Sequence, residues 1–269
     1  MKQAILKNNP FSKVIDGVPP FGKAFLWEKL NDWKSQNGNS AYIADYGAYN
    51  GSMLKSIFVS GIIDKSIGFE LNKEVVEANK NLLPNSVQLT LINKNPVLPV
   101  ADDTFDALSM IGVLEHIYDQ SYILDELNRV IKKGGIFVVQ VPGKHLFSFL
   151  DFGNWKFVFP RIHQIYYELK YSKVAYHERY VECKNGLIGD IEKEKAWHQH
   201  FSQQELKKLL KEHNFEVIQQ DGFGLFFRVF HNLRYLSPKF LKGFWDGLIS
   251  WDSQAFQQAE IFVVAQKNN

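Results

Sequence analysis

The chain of 269 residues has a single cysteine, no excess of either charge and no long apolar run, and each absence removes a class of protein. One cysteine, Cys183, excludes an internal disulfide and any zinc site built from several thiolates. No stretch reaches the roughly 18 apolar residues that a membrane-crossing helix needs. Met1–Pro20 carries lysines and asparagines without the apolar segment of a secretory signal, so a reducing, cytoplasmic setting is expected. With 31 Lys and Arg against 29 Asp and Glu, a nucleic-acid partner, which calls for a clustered basic excess, is not expected.

What is present in quantity is aromatic: 14% of the residues, crowded into the second half. The first half instead alternates strand-like and helix-like patterns. Apolar positions Phe21, Phe25, Leu26, Leu30 and Trp33 predict an amphipathic helix within a leader of residues 1–40. Strands are predicted over 41–45, 65–70, 87–92, 105–111 and 136–141, with helices over 52–60, 73–83 and 121–131 between them. The last of these helices is expected to end at Gly134-Gly135. Such a β-α-β-α rhythm implies a parallel sheet covered on both faces. It defines a core of residues 41–143. Residues 144–200 break the rhythm as an irregular, aromatic-rich insertion, and residues 201–269 resume it. There Ser202 and Glu205 have capping-box spacing at the head of a helix over 202–214, and strands follow over 215–220 and 260–265.

The sharpest local signal is Asp45-Tyr-Gly47-Ala-Tyr-Asn-Gly51, between the first strand and first helix. Glycine there lets backbone approach a ligand, and the helix that follows offers free N–H donors. The spacing alone is weak and also suits a plain tight turn. Glu70 ends the second strand, about 20 residues on, where a nucleotide fold places an acceptor for ribose hydroxyls.

Together the motifs resemble those of class I S-adenosylmethionine-dependent methyltransferases of the small-molecule and glycan-modifying group. The likeness runs through Asp45-x-Gly47-x-x-x-Gly51, Ile67-Gly-Phe-Glu70, Leu98-Pro99-Val100, Asp103-Thr-Phe-Asp106, Val113-Leu-Glu115-His116, Leu127-x-Arg129 to Gly134-Gly135, and Val139-Gln-Val-Pro142. It covers roughly residues 40–143. The expected fold is α/β: a Rossmann-like, doubly wound seven-stranded sheet, its last strand antiparallel, with an aromatic-rich cap inserted after strand five. The resemblance implies S-adenosylmethionine as cofactor, with Asp45, Gly47 and Gly51 beside its methionine part and Glu70 on the ribose. It further implies Leu71 near the adenine, and Ile111 and Glu115 in the stretch to His116 that lines the sulfonium side. Family members commonly carry an acid after strand three. This chain has Ile92-Asn-Lys-Asn95 there, so Asn93 would stand in for it.

The insertion reads as a small cap with an aromatic core, and equally as a lid over the acceptor site. His198 and His200, two apart, share one face of an extended segment. No third ligand accompanies them in sequence, so a metal is not expected. His200 or His198 is instead the candidate base, with His116 a third whose plainer role is to shape the cofactor pocket. The second aromatic run, Gly222–Phe256, would complete the cap, form a dimer face or rest on a membrane surface. The expected activity is methyl transfer to a small molecule or saccharide, preferably at a hydroxyl. The rivals are a non-catalytic cofactor-binding protein and a methyltransferase acting on nitrogen or nucleic acid.

Overall fold

The computed structural model describes residues 9–11, 21–94, 96–182 and 198–268. Its seven strands are β1 (Ala41–Tyr46), β2 (Ile63–Glu70), β3 (Val87–Leu91), β4 (Phe105–Ile111), β5 (Ile131–Pro142), β6 (Phe215–Phe223) and β7 (Glu260–Lys267). They form one sheet in the order β3-β2-β1-β4-β5-β7-β6. The first five run parallel, and β7 is antiparallel to both of its neighbours. This is the doubly wound α/β arrangement expected from the sequence, including the reversed last strand.

Helices α1 (Phe21–Asn37), α2 (Ser52–Val59), α3 (Lys73–Asn79), α4 (Gln120–Val130) and α8 (Gln203–Glu212) belong to this core. The central strands bury both faces, as β4 does from Ala107 through Met110, because helices cover the sheet on each side. One apolar cluster joins the sheet to Ile123, Leu124 and Leu127 of α4 and Leu206 and Leu210 of α8. The other joins it to Phe25, Leu26 and Leu30 of α1 and Leu54 and Ile57 of α2. Helix α1 is therefore a layer of the core.

Two differences from the sequence reading have local causes. The glycine pair Gly134-Gly135 lies inside β5, which begins directly after α4. Phe105 pairs with Ile131 and Ala107 with Ile136, so the extra residues of β5 form a bulge there. The insertion, expected to be irregular, is helical where described: α5 (Phe152–Val158), α6 (Pro160–Lys170) and α7 (Lys173–Tyr176). His163, Tyr167, Tyr176 and Tyr180 pack ring to ring at 4.8–6.1 Å, giving this small unit its own core. The second aromatic run folds as the pair α9 (Phe227–Leu236) and α10 (Lys242–Ala255). Arg234 and Asp246 join those two helices at 2.5 Å. The Lys170 ammonium lies 4.2 Å from the centre of the Tyr235 ring, so the two aromatic segments make one cap. Residues 183–197 of the expected cap lie outside the described residues. No described helix is long and apolar enough to cross a membrane.

Candidate functional site

A cavity of about 260 Å³ opens at the carboxyl ends of β1, β2 and β4. The strand order reverses between β1 and β4, which is where open α/β sheets bind nucleotides. Asp45, Gly47, Glu70, Leu71, Ile111 and His116 all line it. Gly47 has φ +85°, and a Cβ there would overlap the side chain of Val113 across the cavity. Only glycine keeps that wall open. Gly51 turns the chain into α2 at φ +70° without itself lining the cavity.

The two acids of this pocket sit in different environments. Burial pushes the Asp45 carboxyl up to about 7, against the opposing hydrogen bond from Ser109 Oγ at 2.6 Å. Glu70 accepts three backbone hydrogen bonds: Tyr49 N to Oε2 at 2.7 Å, and Leu71 N and Asn72 N to Oε1 at 2.8 and 2.9 Å. The strand-end acid thus ties the glycine loop to β2 and also faces the cavity. Asn93 is exposed, while its neighbours Ile92 and Lys94 line the wall. The pocket is lined by two carboxylates, by apolar Leu71 and Ile92, and by a glycine wall that a Cβ would fill. These residues fit a nucleoside-linked amino acid.

Next to the cavity lies a cluster of acids and histidines. His116, at the end of the 3-10 turn Leu114–His116 after β4, stacks on His198 with centroids 4.7 Å apart. His116 Nε2 and His198 Nε2 approach the same oxygen, Glu115 Oε1, at 3.8 and 3.7 Å. Glu115 is buried, and its Oε2 has no hydrogen-bond partner. The other nitrogen of His198, Nδ1, lies 2.5 Å from Asp151 Oδ2, and His200 Nε2 is 2.9 Å from that oxygen. Asp151 Oδ1 faces Arg228 of α9 at 3.2 Å, and Arg228 reaches Glu260 of β7 at 3.5 Å. Burial works against protonation of His198, but the Asp151 and Glu115 carboxylates outweigh it and push its pKa up to about 9. Burial also opposes ionisation of Asp151, yet the two histidines and Arg228 hold it well below the usual carboxylate range.

The fold therefore gathers His116, His198 and His200 with Glu115, four residues the sequence singled out separately. It adds Asp151, Arg228 and Glu260, which the sequence reading missed. Asp151 lies 47 residues from His198, and no spacing rule connects them. Backbone pairing supplies the connection. Phe201 N donates to Pro142 O and Lys144 N to Phe201 O, at 2.9 and 2.7 Å, drawing the chain after the cap back beside β5. The Asn154 side chain then clasps both backbone groups of His198 at 2.9 and 3.0 Å.

The sequence pattern of the methyltransferase-domain family matches residues 23–220, most of the chain. The chain belongs to the class I S-adenosylmethionine-dependent methyltransferases. S-Adenosylmethionine is the cofactor of this methyltransferase, and the cavity beside Asp45 and Glu70 has the chemistry to hold it. Among curated relatives, the chain is 27% identical over 147 residues to a ubiquinone/menaquinone biosynthesis C-methyltransferase of Geotalea daltonii, covering 50% of this chain and 63% of that one. It spans less than two thirds of the length of the curated relatives it matches. A solved S-adenosylmethionine-dependent methyltransferase from Mesorhizobium loti shares the fold with a TM-score of 0.53 at 12% identity, over 90% of this chain and all of that one. So does the 1,6-didemethyltoxoflavin-N1-methyltransferase of Burkholderia thailandensis, solved with S-adenosylhomocysteine, with a TM-score of 0.51 at 11% identity over 90% and 78% of the two chains.

Proposed function

We propose that this methyltransferase moves the methyl group of S-adenosylmethionine to a hydroxyl of a small-molecule or saccharide acceptor held under the aromatic cap. The observation that carries this reading is the contact of two chemistries at one residue. His116 lines the cofactor cavity and stacks on His198, whose partners Glu115 and Asp151 are both buried. The cofactor supplies an already reactive methyl group. The protein's own contribution is to align the acceptor with it, exclude water and receive the acceptor's proton. Alignment of this kind is worth up to about 7–11 kcal/mol of barrier. The histidine–carboxylate cluster supports the remaining task, with His200 receiving the proton, since His198 already carries one near neutral pH, and with Asp151 orienting both rings.

The likeness to a C-methyltransferase supports a second reading, in which the acceptor atom is an activated carbon. It makes the same demand for a proton acceptor. Incubation with the cofactor and a panel of sugars, nucleotide sugars and hydroxylated aromatics should release S-adenosylhomocysteine, and NMR of the product identifies the methylated atom. Cofactor binding without turnover on any acceptor contradicts the proposal and favours a binding-only protein.

A further inference from the structure

We infer that Glu115, His116 and His198 form a binding site for a divalent transition-metal cation, with its open coordination position facing the cofactor cavity. The inference deepens the proposed function, since such a cation would bind the acceptor oxygen and make its proton easier to remove.

Distance separates two overlapping groups in this cluster. In the group Asp151, His198 and His200, the nitrogens lie 2.5 and 2.9 Å from a single oxygen, which are hydrogen-bond lengths with no room for an ion between. In the group Glu115, His116 and His198, the nitrogens lie 3.8 and 3.7 Å from Glu115 Oε1, and the three ligand atoms fall within 4.8 Å of one another. Metal bonds of about 2.0–2.2 Å at tetrahedral angles separate neighbouring ligand atoms by about 3.3–3.6 Å. On its two nitrogen–oxygen edges the second group needs only a few tenths of an ångström to close on a cation, and the two imidazoles have to tilt out of their stack to converge on it. Two imidazoles and one carboxylate are also the ligand types of an open, catalytic zinc site.

The surroundings agree with this division. A metal-binding histidine usually gives its other nitrogen to a carboxylate, which fixes the ring and its tautomer. Asp151 does that for His198 Nδ1, leaving Nε2 toward Glu115. Asp151 is in turn fixed by Arg228. Glu115 Oε2 is buried without a hydrogen-bond partner, a costly state for a carboxylate oxygen that a cation held by both oxygens of Glu115 would relieve. Asp151 and Glu260 share the guanidinium of Arg228, whereas the ion-pair partners of Glu115 among the described residues are the two histidines. His116 then carries the site to the cavity wall.

Cobalt(II) titrated into the full-length, chelator-treated protein reads the site through its visible absorption. One equivalent should bind, zinc should displace it, and His198→Ala or Glu115→Gln should weaken binding at least 100-fold. Asp151→Asn, which leaves the ligands in place, should weaken it about 10- to 100-fold. Calorimetry with S-adenosylhomocysteine and circular dichroism show whether each variant is folded. If His198→Ala fails to fold, Glu115→Gln carries the test. Absence of saturable cobalt binding, or equal binding in a folded Glu115→Gln, overturns the inference. Undiminished methyl transfer by protein that binds no cobalt overturns the metal site and leaves the proposed function standing. Cobalt binding with no transfer to any acceptor leaves the site standing and removes the proposed function.

Discussion

Gly47 and Glu70 show how much of a binding site is backbone. At Gly47 an added methyl meets Val113 and a left-handed φ together, so Gly47→Ala is expected to weaken S-adenosylhomocysteine binding at least tenfold by calorimetry. Trimming the neighbour in the double variant Gly47→Ala, Val113→Ala should recover part of that loss, because it removes the overlap but leaves the strained dihedral. Glu70 is a different case. Its two oxygens already accept three main-chain N–H groups before any ribose arrives. Glu70→Gln turns one acceptor into a donor facing those groups. It should therefore cost about 1–3 kcal/mol of stability in urea denaturation as well as cofactor affinity. An effect on affinity with stability untouched would show that the loop is held by something else.

At the scale of elements, the segment after the cap is fixed from both ends. Phe201 pairs with the end of β5, and Ser202 starts α8 with a complete capping box, its hydroxyl accepting from Glu205 N while the Glu205 carboxylate accepts from Ser202 N. One residue, Phe201, separates that cap from His200. Ser202→Ala is expected to cost about 1 kcal/mol in denaturant unfolding, the usual worth of an N-cap. Cofactor affinity should be unchanged, since α8 does not line the cavity. The capping box was legible in sequence because its parts are three residues apart. The double glycine was misread as a helix stop, because a bulge and a C-cap both ask for a positive φ. Gly134 has that φ, +73°, but uses it inside a strand.

Across the whole molecule, Arg228 links three regions: α9 that bears it, Asp151 at the entrance to the cap and Glu260 on β7. Removing it leaves two largely buried carboxylates facing no guanidinium. Arg228→Ala is expected to destabilise the protein by about 3–5 kcal/mol in equilibrium unfolding, with Arg228→Lys recovering part. Two buried carboxyls contribute a pH dependence of definite sign to the ligand-free protein. Asp45 keeps its proton to about pH 7 in the folded chain, and burial likewise pushes Glu260 up to about 7. Unfolded carboxylates lose theirs near pH 4. At these two groups the folded state binds more protons between about pH 4 and 7, so their contribution to stability falls as pH rises through that window; His145, whose imidazole burial pushes down to about 4, works in the opposite direction below its ordinary value. Melting temperatures from pH 4.5 to 7.5 should show the wild type losing stability relative to Asp45→Asn as pH rises. An unchanged slope in that variant would mean that other groups carry it.

The sequence by itself determined the α/β class, the order of its strands and helices, and much of the lining of the cavity, because these rest on periodicity and on motifs whose residues are close in the chain. Asp45, Gly47, Glu70, Leu71 and Ile111 were readable for that reason. The cluster of acids and histidines beside the cavity was decided only by tertiary structure. Glu115, Asp151, His198, Arg228 and Glu260 are ordinary residues in separate segments. They become a site when Phe201 pairs beside Pro142 and α9 folds over the sheet, contacts over distances in the chain that no local pattern encodes. His116, which invited reading as an isolated catalytic histidine, proves to be the residue where the two halves of the site touch.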